Sequence, residues 1–475
     1  MSKMNFSFEK KAVDIYQEAA INKGLFLDSG MQGRGIPTFV AEWILERFCP
    51  SGVLSDKSKI EIINFIDEHL PRKEQKEEIK YKLAQGEQIT LLDHFSVVVD
   101  LKKNERRLFI PSIDEVGAVS STIIDNFTGL LGGGMWGAGR LSYHPPDEQS
   151  NWSAGELHIV DFKPLQVANL DLAYYCSGRY EFSFQEWREL LVSSMGSNPN
   201  FYTPDQQLRI IARLIPIVQK NVNIIELAPK GTGKSFIYQN MSRYVRVVSG
   251  GKITAAALFY NLANNTPGLL TQYDVVVFDE AQSISFNNPG EVIGVLKDYL
   301  ESGRYTRGRQ AATADAGLVM LANIPMDSSN KPMIPNLFQN LPTFMQETAF
   351  IDRIHGIIPG WEIPRVTRDT PSRRVGFKAD YFGEVLHRLR NHGGFDEYVI
   401  NNMRLKGSKD MRDQKAIQKM AAGYLRILFP NLDPSPEEFL DYCIKPSVSL
   451  RQRVRSQLSK LDPEFEQVLI QGELA

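Results

Sequence analysis

The feature that most constrains this chain is one stretch, IIELAPKGTGKS at residues 224–235. An apolar run is followed by a loop that contains glycines, and then by Lys-Ser at the start of a predicted helix. Backbone N–H groups in such a loop can surround phosphate oxygens. Lys234 would reach the β- and γ-phosphates, and the Ser235 hydroxyl would ligate Mg²⁺. The stretch therefore predicts a site for a nucleoside triphosphate.

The loop departs from the usual G-x-x-x-x-G-K-[ST] pattern at its first position, which is Ala228. The departure is mild because Gly231 and Gly233 still leave the backbone free to approach the phosphates. The residues that we predict to contact ATP are Ala228, Pro229, Lys230, Gly231, Thr232, Gly233, Lys234, Ser235 and Phe236.

A second apolar run, VVVFDE at residues 275–280, ends in two carboxylates. In enzymes with a phosphate loop, one carboxylate holds the metal ion and a further residue positions the attacking water. We therefore predict that Asp279 supports Mg²⁺ and that Glu280 polarises the water. Together the two stretches predict binding and hydrolysis of ATP with Mg²⁺.

Composition limits the remaining possibilities. With 475 residues, 43% of them hydrophobic and 23% charged, the chain has the usage of a globular protein of two or three domains. Three cysteines without a C-x-x-C pattern suggest no zinc knuckle or disulfide framework, and they favour a reducing cytoplasm. The sequence has no signal-peptide pattern and no apolar run of about 18 residues, so we expect neither export nor a membrane span. The net charge of −2 means that any DNA contact must come from a local cluster of basic residues.

Changes in the residue pattern divide the chain into four predicted segments. Residues 1–90 place apolar residues at helical spacing, and residues 91–180 contain short β-rich runs that predict a small, OB-like barrel. Residues 181–374 combine the two motifs above with further strands, which predicts a parallel sheet with helices on both faces. Residues 375–475 predict a helical bundle, in which Arg412 is positioned to reach back to the nucleotide phosphates.

A glycine-rich stretch, LLGGGMWGAGR at residues 130–140, lies within the β-rich segment. Its glycine content predicts a mobile or tightly turning loop. One interpretation is a flexible surface hairpin. The other is a hairpin that contacts nucleic acid, with Trp136 stacking on a base and Arg140 meeting a phosphate.

Two residues beyond the acidic strand are further candidates for catalysis. Asn323 ends a predicted buried strand and could orient the attacking water, although asparagine is also a common strand terminator. Arg353 follows Asp352 in an apolar segment, which could hold its guanidinium rigidly at a subunit edge. An arginine supplied to a neighbouring subunit can raise the rate about 10³- to 10⁵-fold. The alternative is a structural ion pair.

A basic stretch, GRYTRGRQ at residues 303–310, precedes the strand of Asn323. A solvated hairpin would explain its pattern. In a closed ring, the same hairpin repeated around a pore would present a positive collar to a phosphate backbone. The predicted DNA contacts in this stretch are Arg304, Tyr305, Arg307 and Arg309.

These elements follow one another in the order of an AAA+ ATPase. The phosphate loop, Asp279-Glu280, Asn323, Arg353 and Arg412 resemble its Walker A, Walker B, sensor 1, arginine finger and sensor 2. The stretches LAPKGTGKS, DVVVFDE, DYLESGRYTRG, LANI and RDQKAIQKMAAGYLRILFP resemble, more specifically, the BrxL family of Lon-like proteins from bacterial BREX phage-defence systems.

The resemblance implies an α/β AAA+ P-loop ATPase core with a C-terminal helical lid. A helical plus β-barrel-like N-terminal region would precede this core in an MCM-like architecture. The resemblance also implies a hexameric ring, or two rings stacked as a dodecamer, with an ATP site between neighbours and double-stranded DNA through the middle. Longer family members end in a Lon-type protease domain, and the roughly 45 residues after the last predicted core helix lead us to expect no peptidase here.

The resulting expectation is a cytoplasmic ATPase that encircles or translocates on double-stranded DNA in anti-phage defence, with other BREX proteins as candidate partners. One alternative is a nucleotide-gated scaffold that recruits other defence proteins. The other is a Lon-like unfoldase that threads polypeptide. The arginine-rich stretch at residues 303–310 argues against the unfoldase.

Overall fold

The computed structural model describes residues 7–31, 35–50, 52–101, 104–131, 134–146, 155–165, 170–262 and 266–475. The chain divides into two compact units, one formed by residues 24–168 and the other by residues 1–23 together with residues 169–475. The four predicted segments are a finer division and stay a prediction.

The α-helices are α1 (Ser7–Tyr16), α2 (Gly24–Asp28), α3 (Thr38–Phe48), α4 (Asp56–His69), α5 (Lys76–Ala84), α6 (Ser121–Asn126), α7 (Leu172–Gly178), α8 (Phe184–Ser194), α9 (Pro204–Ile211), α10 (Ile215–Val218), α11 (Lys234–Asn240), α12 (Ala255–Leu258), α13 (Leu269–Gln272), α14 (Pro289–Ser302), α15 (Thr343–Gln346), α16 (Thr348–Ile351), α17 (Ala379–Asn391), α18 (Phe395–Asn402), α19 (Met411–Leu428), α20 (Pro436–Phe439) and α21 (Lys445–Leu461). The strands are β1 (Ala20–Asn22), β2 (Ile89–Asp100), β3 (Glu105–Ile110), β4 (Glu115–Ala118), β5 (Met135–His144), β6 (Glu156–Pro164), β7 (Ile224–Ala228), β8 (Val245–Ile253), β9 (Tyr260–Asn261), β10 (Thr266–Pro267), β11 (Val275–Phe286), β12 (Arg304–Arg307), β13 (Gln310–Thr313), β14 (Gly317–Asn323), β15 (Gly356–Pro359), β16 (Val375–Phe377), β17 (Met403–Lys406) and β18 (Gln471–Leu474).

The unit of residues 24–168 is built on a closed barrel with the strand order β2, β3, β4, β6, β5. Alternate residues of these strands face inward, and the barrel is filled by side chains such as Phe95, Leu108 and Ile159. Helices α3 and α4 pack in a second apolar cluster of the same unit. The predicted small barrel is therefore confirmed.

The glycine-rich stretch is part of this barrel. Residues 135–144 form β5, which pairs with β2 and with β6. A Cβ atom at Gly137 would lie 2.2 Å from the Phe162 ring, and one at Gly139 would lie 2.4 Å from the Phe95 ring. These glycines make room for aromatic rings inside the barrel, so the predicted loop is wrong for residues 135–140. Residues 132 and 133 lie outside the described residues.

The two candidate DNA contacts of this stretch therefore occupy a strand. The Trp136 ring packs edge-on against Phe39, with 6.5 Å between the ring centroids, and it borders the cluster around α3 and α4. The ring is half-buried in this position, and its contact with nucleic acid, one of the two interpretations of the stretch, stays a prediction. Arg140 is exposed, with its Nη2 atom 3.9 Å from the Asp161 carboxylate.

The second unit is organised by a five-stranded sheet with the order β15, β7, β14, β11, β8. Every neighbouring pair in this sheet is parallel, as predicted. Strand β7 is buried along its whole length, as is typical of an interior parallel strand. Because β14 lies between β7 and β11, the ends of β7 and β14 lie at one edge of the sheet, beside Asp279, which follows the last residue of β11 that pairs with β14.

The C-terminal part of the second unit is helical, as predicted. Helix α19 buries most of its length, and α21 packs against both α19 and β15. Strands β17 and β18 add an antiparallel pair that the sequence analysis did not predict. Within the described ranges, the structure contains no helix with both the length and the apolar character that crossing a membrane requires.

Candidate functional site

The candidate site begins at the loop between β7 and α11. Gly231 and Gly233 have φ angles of +81° and +71°, in the left-handed region that favours glycine. A Cβ atom at Gly231 would have no neighbour within 4 Å among the residues that the structure describes, so the backbone there is open to a ligand. The sequence predicted this loop, and its two glycines have the conformation that gives phosphate oxygens access to backbone N–H groups.

Lys234 and Asn323 meet at the edge where β7 and β14 end. The Lys234 ammonium donates a 2.7 Å hydrogen bond to Asn323 Oδ1, and the lysine is only 8% exposed. Burial lowers the pKa of Lys234, and the nearby carboxylates of Glu226, Asp279 and Glu280 oppose that shift. A largely buried ammonium that is hydrogen-bonded to a neutral amide is well suited to a phosphate oxygen.

Ser235 and Asp279, the two candidate metal ligands, are in contact. The Ser235 hydroxyl donates a 2.9 Å hydrogen bond to Asp279 Oδ1, which also accepts the backbone N–H of Glu280 at 3.0 Å. Hydroxyl and carboxylate oxygens are the ligands that Mg²⁺ prefers. The donor set therefore fits Mg²⁺, and the loop with Lys234 fits the phosphates that accompany it.

Glu280 has an unusual backbone conformation. Its φ is +51°, and β11 shifts register against β8 between Asp279 and Ile284. Such a conformation costs a non-glycine residue about 1–3 kcal/mol, and strain of this kind is concentrated at functional sites. The turn removes Glu280 from the ladder, and the residue is exposed beside Asp279.

A buried ion pair lies under the phosphate loop, and the sequence analysis missed it. The guanidinium of Arg213 makes hydrogen bonds of 2.9 and 2.6 Å to the carboxylate of Glu226, and both side chains are almost completely buried. Arg213 Nη2 also approaches the Thr232 carbonyl oxygen at 3.4 Å. The available signal was the glutamate inside the apolar run IIELA, because a buried carboxylate requires a partner.

The stretch after β15 also reaches the phosphate loop. The Val366 N–H donates a 2.7 Å hydrogen bond to the Gly231 carbonyl, and its side chain lies 3.3 Å from the position of a Cβ atom at Gly233. Val366 and Phe236 are 49% and 46% exposed. Two exposed apolar side chains therefore border the loop.

Arg353 lies at the opposite edge of the sheet. It precedes β15, whose first residue Gly356 is in register with Ile224 at the start of β7, whereas the phosphate loop follows the end of β7. Five residues of strand separate the two edges by about 16 Å. Arg353 Nη1 donates to the Ala349 carbonyl at 2.5 Å, and its Nε lies 3.4 Å from Glu301 Oε2.

Arg412 is at the same edge as Arg353. Its Nη1 donates a 2.6 Å hydrogen bond to Asp352, and its Nε donates a 3.0 Å hydrogen bond to Glu301. Asp352 also binds Arg451 at 2.9 Å. We expected Arg412 to reach the phosphate loop of its own chain, but these ion pairs hold it at the far end of the sheet.

The basic hairpin forms as β12 and β13, but only part of it is open to solvent. Tyr305 is 3% exposed, and its hydroxyl donates a 2.9 Å hydrogen bond to the Phe259 carbonyl. The DNA contact that we predicted for Tyr305 is therefore wrong, because the ring is part of the core. Arg307 binds Glu291 at 3.0 Å and the Tyr260 carbonyl. Arg304 and Arg309 are exposed.

Comparison with known proteins identifies the family. The family profile described as "Lon-like protease BrxL-like, ATPase domain" matches residues 157–471, and the profile described as "BREX system Lon protease-like protein BrxL N-terminal" matches residues 14–143. This chain belongs to the BrxL family. The BrxL ATPase match contains the whole parallel sheet and every candidate residue named above for catalysis, ATP and Mg²⁺.

Two curated relatives carry the name "Lon-like protease BrxL". The protein from Bacillus cereus (strain H3081.97) is 31% identical over 439 residues, and the protein from Escherichia coli O9:H4 (strain HS) is 30% identical over 437 residues. Each alignment covers 90% of this chain, but only 64% and 62% of the respective BrxL relatives. The chain thus spans less than two thirds of their length.

Proposed function

We propose that this chain is an ATPase that binds ATP with Mg²⁺ at the carboxyl edge of its parallel sheet, the edge at which β7 and β14 end. The observation that carries the proposal is the convergence of two contacts at that edge. Lys234 binds Asn323, and Ser235 binds Asp279, beside the ends of β7 and β14. Residues far apart in sequence thereby form one group of candidate phosphate and metal ligands.

Each side chain has a role that follows from its position. Residues 228–236 surround the phosphates, and Lys234 binds their terminal oxygens. Ser235 and Asp279 hold Mg²⁺, which when bound neutralises charge on the phosphate oxygens. Glu280, exposed next to Asp279, accepts a proton from the attacking water. Asn323 orients that water with its amide while its oxygen fixes Lys234.

The location of Arg353 makes assembly part of the proposal. Arg353 lies at the opposite, amino edge of the sheet, where β7 and β15 begin. An arginine there, about 16 Å from its own phosphate loop, can complete a site only in another copy of the chain. Head-to-tail contacts that bring opposite edges together form a ring when the rotation between neighbours closes. We propose a hexameric ring, single or stacked as a dodecamer, in which Arg353 and the adjacent Arg412 act on the neighbour's nucleotide.

The proposed substrate of the ring is double-stranded DNA, which it encircles or translocates on. Arg304 and Arg309 are exposed on a short hairpin, and phosphate contacts through arginine are independent of sequence. Arg140 on the barrel is exposed as well, and five-stranded barrels of this kind include nucleic-acid binders. We further propose an MCM-like arrangement and a role in BREX anti-phage defence in the cytoplasm, alongside other BREX proteins; the family membership supports the defence role.

The deciding experiment measures ATP hydrolysis against increasing concentrations of duplex DNA, with light scattering in the same buffer. We expect DNA to stimulate turnover and the particle mass to correspond to six or more subunits. Glu280→Gln should retain ATP binding and lose turnover by about 10²- to 10⁴-fold. Equal turnover in Glu280→Gln would overturn the catalytic assignment. A monomer with DNA-indifferent turnover would overturn the ring and favour a nucleotide-gated scaffold.

A further inference from the structure

Glu301 connects three parts of the second unit. It lies in the last turn of α14, and its side chain is 38% exposed. One carboxylate oxygen, Oε2, lies 3.0 Å from Arg412 Nε and 3.4 Å from Arg353 Nε. A single oxygen of α14 thus holds both arginines that the proposed function assigns to a neighbouring nucleotide.

Arg353 is incompletely bonded in this arrangement. Its Nη1 donates to the Ala349 carbonyl, but its buried Nε has no acceptor with hydrogen-bond geometry among the described residues. The ion pair with Glu301 is 3.4 Å long and supplies charge without a hydrogen bond. A phosphate would offer the guanidinium two parallel, charge-assisted hydrogen bonds. Arg353 therefore has more to gain by changing partner than a fully bonded arginine has.

Arg451 shows what a fully bonded arginine looks like at the same edge. Its side chain is 1% exposed and makes hydrogen bonds to the carboxylates of Asp352 and Asp413, at 2.9 and 2.7 Å, and to the Asp352 and Ile354 carbonyls. Asp352 is consequently fixed. The part of the cluster that can exchange partners is limited to the more exposed Glu301, Arg353 and Arg412.

Glu301 is also close to the base of the basic hairpin. Helix α14 ends at Gly303, whose N–H donates to the Tyr299 carbonyl at 2.8 Å. The Gly303 carbonyl accepts the Ala314 N–H at 2.9 Å, which closes the hairpin base. Strand β12 begins at Arg304, three residues after Glu301. A change in the ion pairs of Glu301 therefore acts on the turn from which the hairpin starts.

Building on the proposed ATPase ring, we propose that Glu301 is a positioning residue that links the neighbour's nucleotide to this subunit's hairpin. When Arg353 and Arg412 bind the neighbour's phosphates, Glu301 loses both cations, and the last turn of α14 and the hairpin base open more readily. Coupling between two binding events is reciprocal. DNA that displaces the hairpin then releases the arginines toward the neighbouring site.

Hydrogen–deuterium exchange at residues 303–314 tests this link in the full-length protein. In the unsubstituted protein, a non-hydrolysable ATP analogue should raise the rate of amide exchange there about two- to fivefold. This is the factor by which loss of an exposed ion pair shifts a local opening equilibrium. Glu301→Gln should show that faster exchange without the analogue, and the analogue should add nothing further. In the same variant, the ratio of DNA-stimulated to basal turnover should fall toward one.

Glu347→Gln is the matched control. Glu347 pairs with Lys297 on the same helix α14, so its substitution removes an ion pair of α14 without touching either arginine. It should behave like the unsubstituted protein. If Glu301→Gln also does so, or if the ATP analogue leaves exchange at residues 303–314 unchanged in a protein that hydrolyses ATP, the link is refuted while the ATPase proposal stands. Absence of ATP binding refutes both.

Discussion

The two edges of the parallel sheet are built in different ways. At the carboxyl edge, Lys234 and Ser235 each have one side-chain partner, Asn323 and Asp279, and the carboxylate of Glu280 is exposed. At the amino edge, Asp352 is 2% exposed and binds two arginines. At the carboxyl edge the candidate charged groups make few ion pairs and Glu280 is exposed, whereas at the amino edge the charged groups form a dense ion-pair cluster. The comparison indicates that the carboxyl edge is suited to a ligand. The amino edge is rigid, except for Arg353 and Arg412, which are held less firmly.

The largest expected effect comes from removing Arg353 from the amino edge. Arg353→Ala should lower ATP turnover about 10³- to 10⁵-fold, because an arginine supplied in trans stabilises charge in the transition state. Turnover is measured at saturating ATP, and Arg353→Lys tests the need for a guanidinium.

The same variant distinguishes action in trans from action in cis. Mixed rings of Arg353→Ala and Lys234→Ala subunits should regain part of the activity, since each supplies what its neighbour lacks. Two inactive variants that stay inactive when mixed would contradict the assignment of Arg353 to the neighbour's site.

Substituting one aspartate at each edge compares how much the two edges contribute to the stability of the fold. Asp352→Ala should lower the free energy of unfolding by about 3–5 kcal/mol, because it leaves the buried Arg451 without one carboxylate. Asp279→Ala, at the less buried carboxyl edge, should change it by less than about 1 kcal/mol while abolishing Mg²⁺-dependent turnover. Denaturant unfolding of both variants measures the difference. Equal losses of stability would remove the contrast between the edges.

Asn323 tests whether the carboxyl edge depends on its neutral partner. Asn323→Ala should lower turnover about 10²- to 10³-fold, the usual cost of losing one positioned polar group in an active site. Asn323→Asp provides a second test, since a carboxylate would bind Lys234 more tightly and compete with phosphate. ATP affinity should fall more in Asn323→Asp than in Asn323→Ala. The reverse order would indicate that Asn323 does not compete with the ligand for Lys234.

The smallest effect is a pH dependence of stability at the amino edge. Burial, together with the positive charges of Lys419 and Arg451, lowers the pKa of His355 well below its usual value. The unfolded chain takes up a proton below about pH 6.5 that the folded chain does not, so stability is complete above that pH and declines below it, by up to about 1.4 kcal/mol per pH unit.

Replacing this histidine should reduce that decline. His355→Gln should unfold with a shallower acid-side slope between about pH 6.5 and 5, measured by thermal or denaturant unfolding. The exposed His392→Gln is the control and should keep the original slope. An unchanged slope in His355→Gln would assign the acid sensitivity to other groups.

The grouping of the candidate residues at the carboxyl edge could be predicted from the sequence because each lies at the end of an apolar run. Once a parallel sheet is expected, Ala228, Asp279 and Asn323 must meet at one edge. The ion-pair cluster at the amino edge joins residues as far apart in sequence as Glu301 and Arg451. No local pattern in the sequence predicts such contacts. Tyr305 was misassigned, and the packing of Trp136 against Phe39 was not predicted, for a related reason. An aromatic residue between arginines or glycines has the same local pattern whether its ring faces solvent or a core, and tertiary packing decides which.

The burial of Tyr305 also determines how fast the hairpin can move. The tip of a solvated loop reorients within nanoseconds to microseconds, whereas collective shifts of packed elements take microseconds to milliseconds. With its second residue anchored among Phe259 and Thr271, this hairpin must move together with the core behind it. If the arginines of this hairpin hold a polymer, the rate at which the polymer moves would therefore be limited by rearrangement of the core. Faster motion of the exposed side chains would not change that limit.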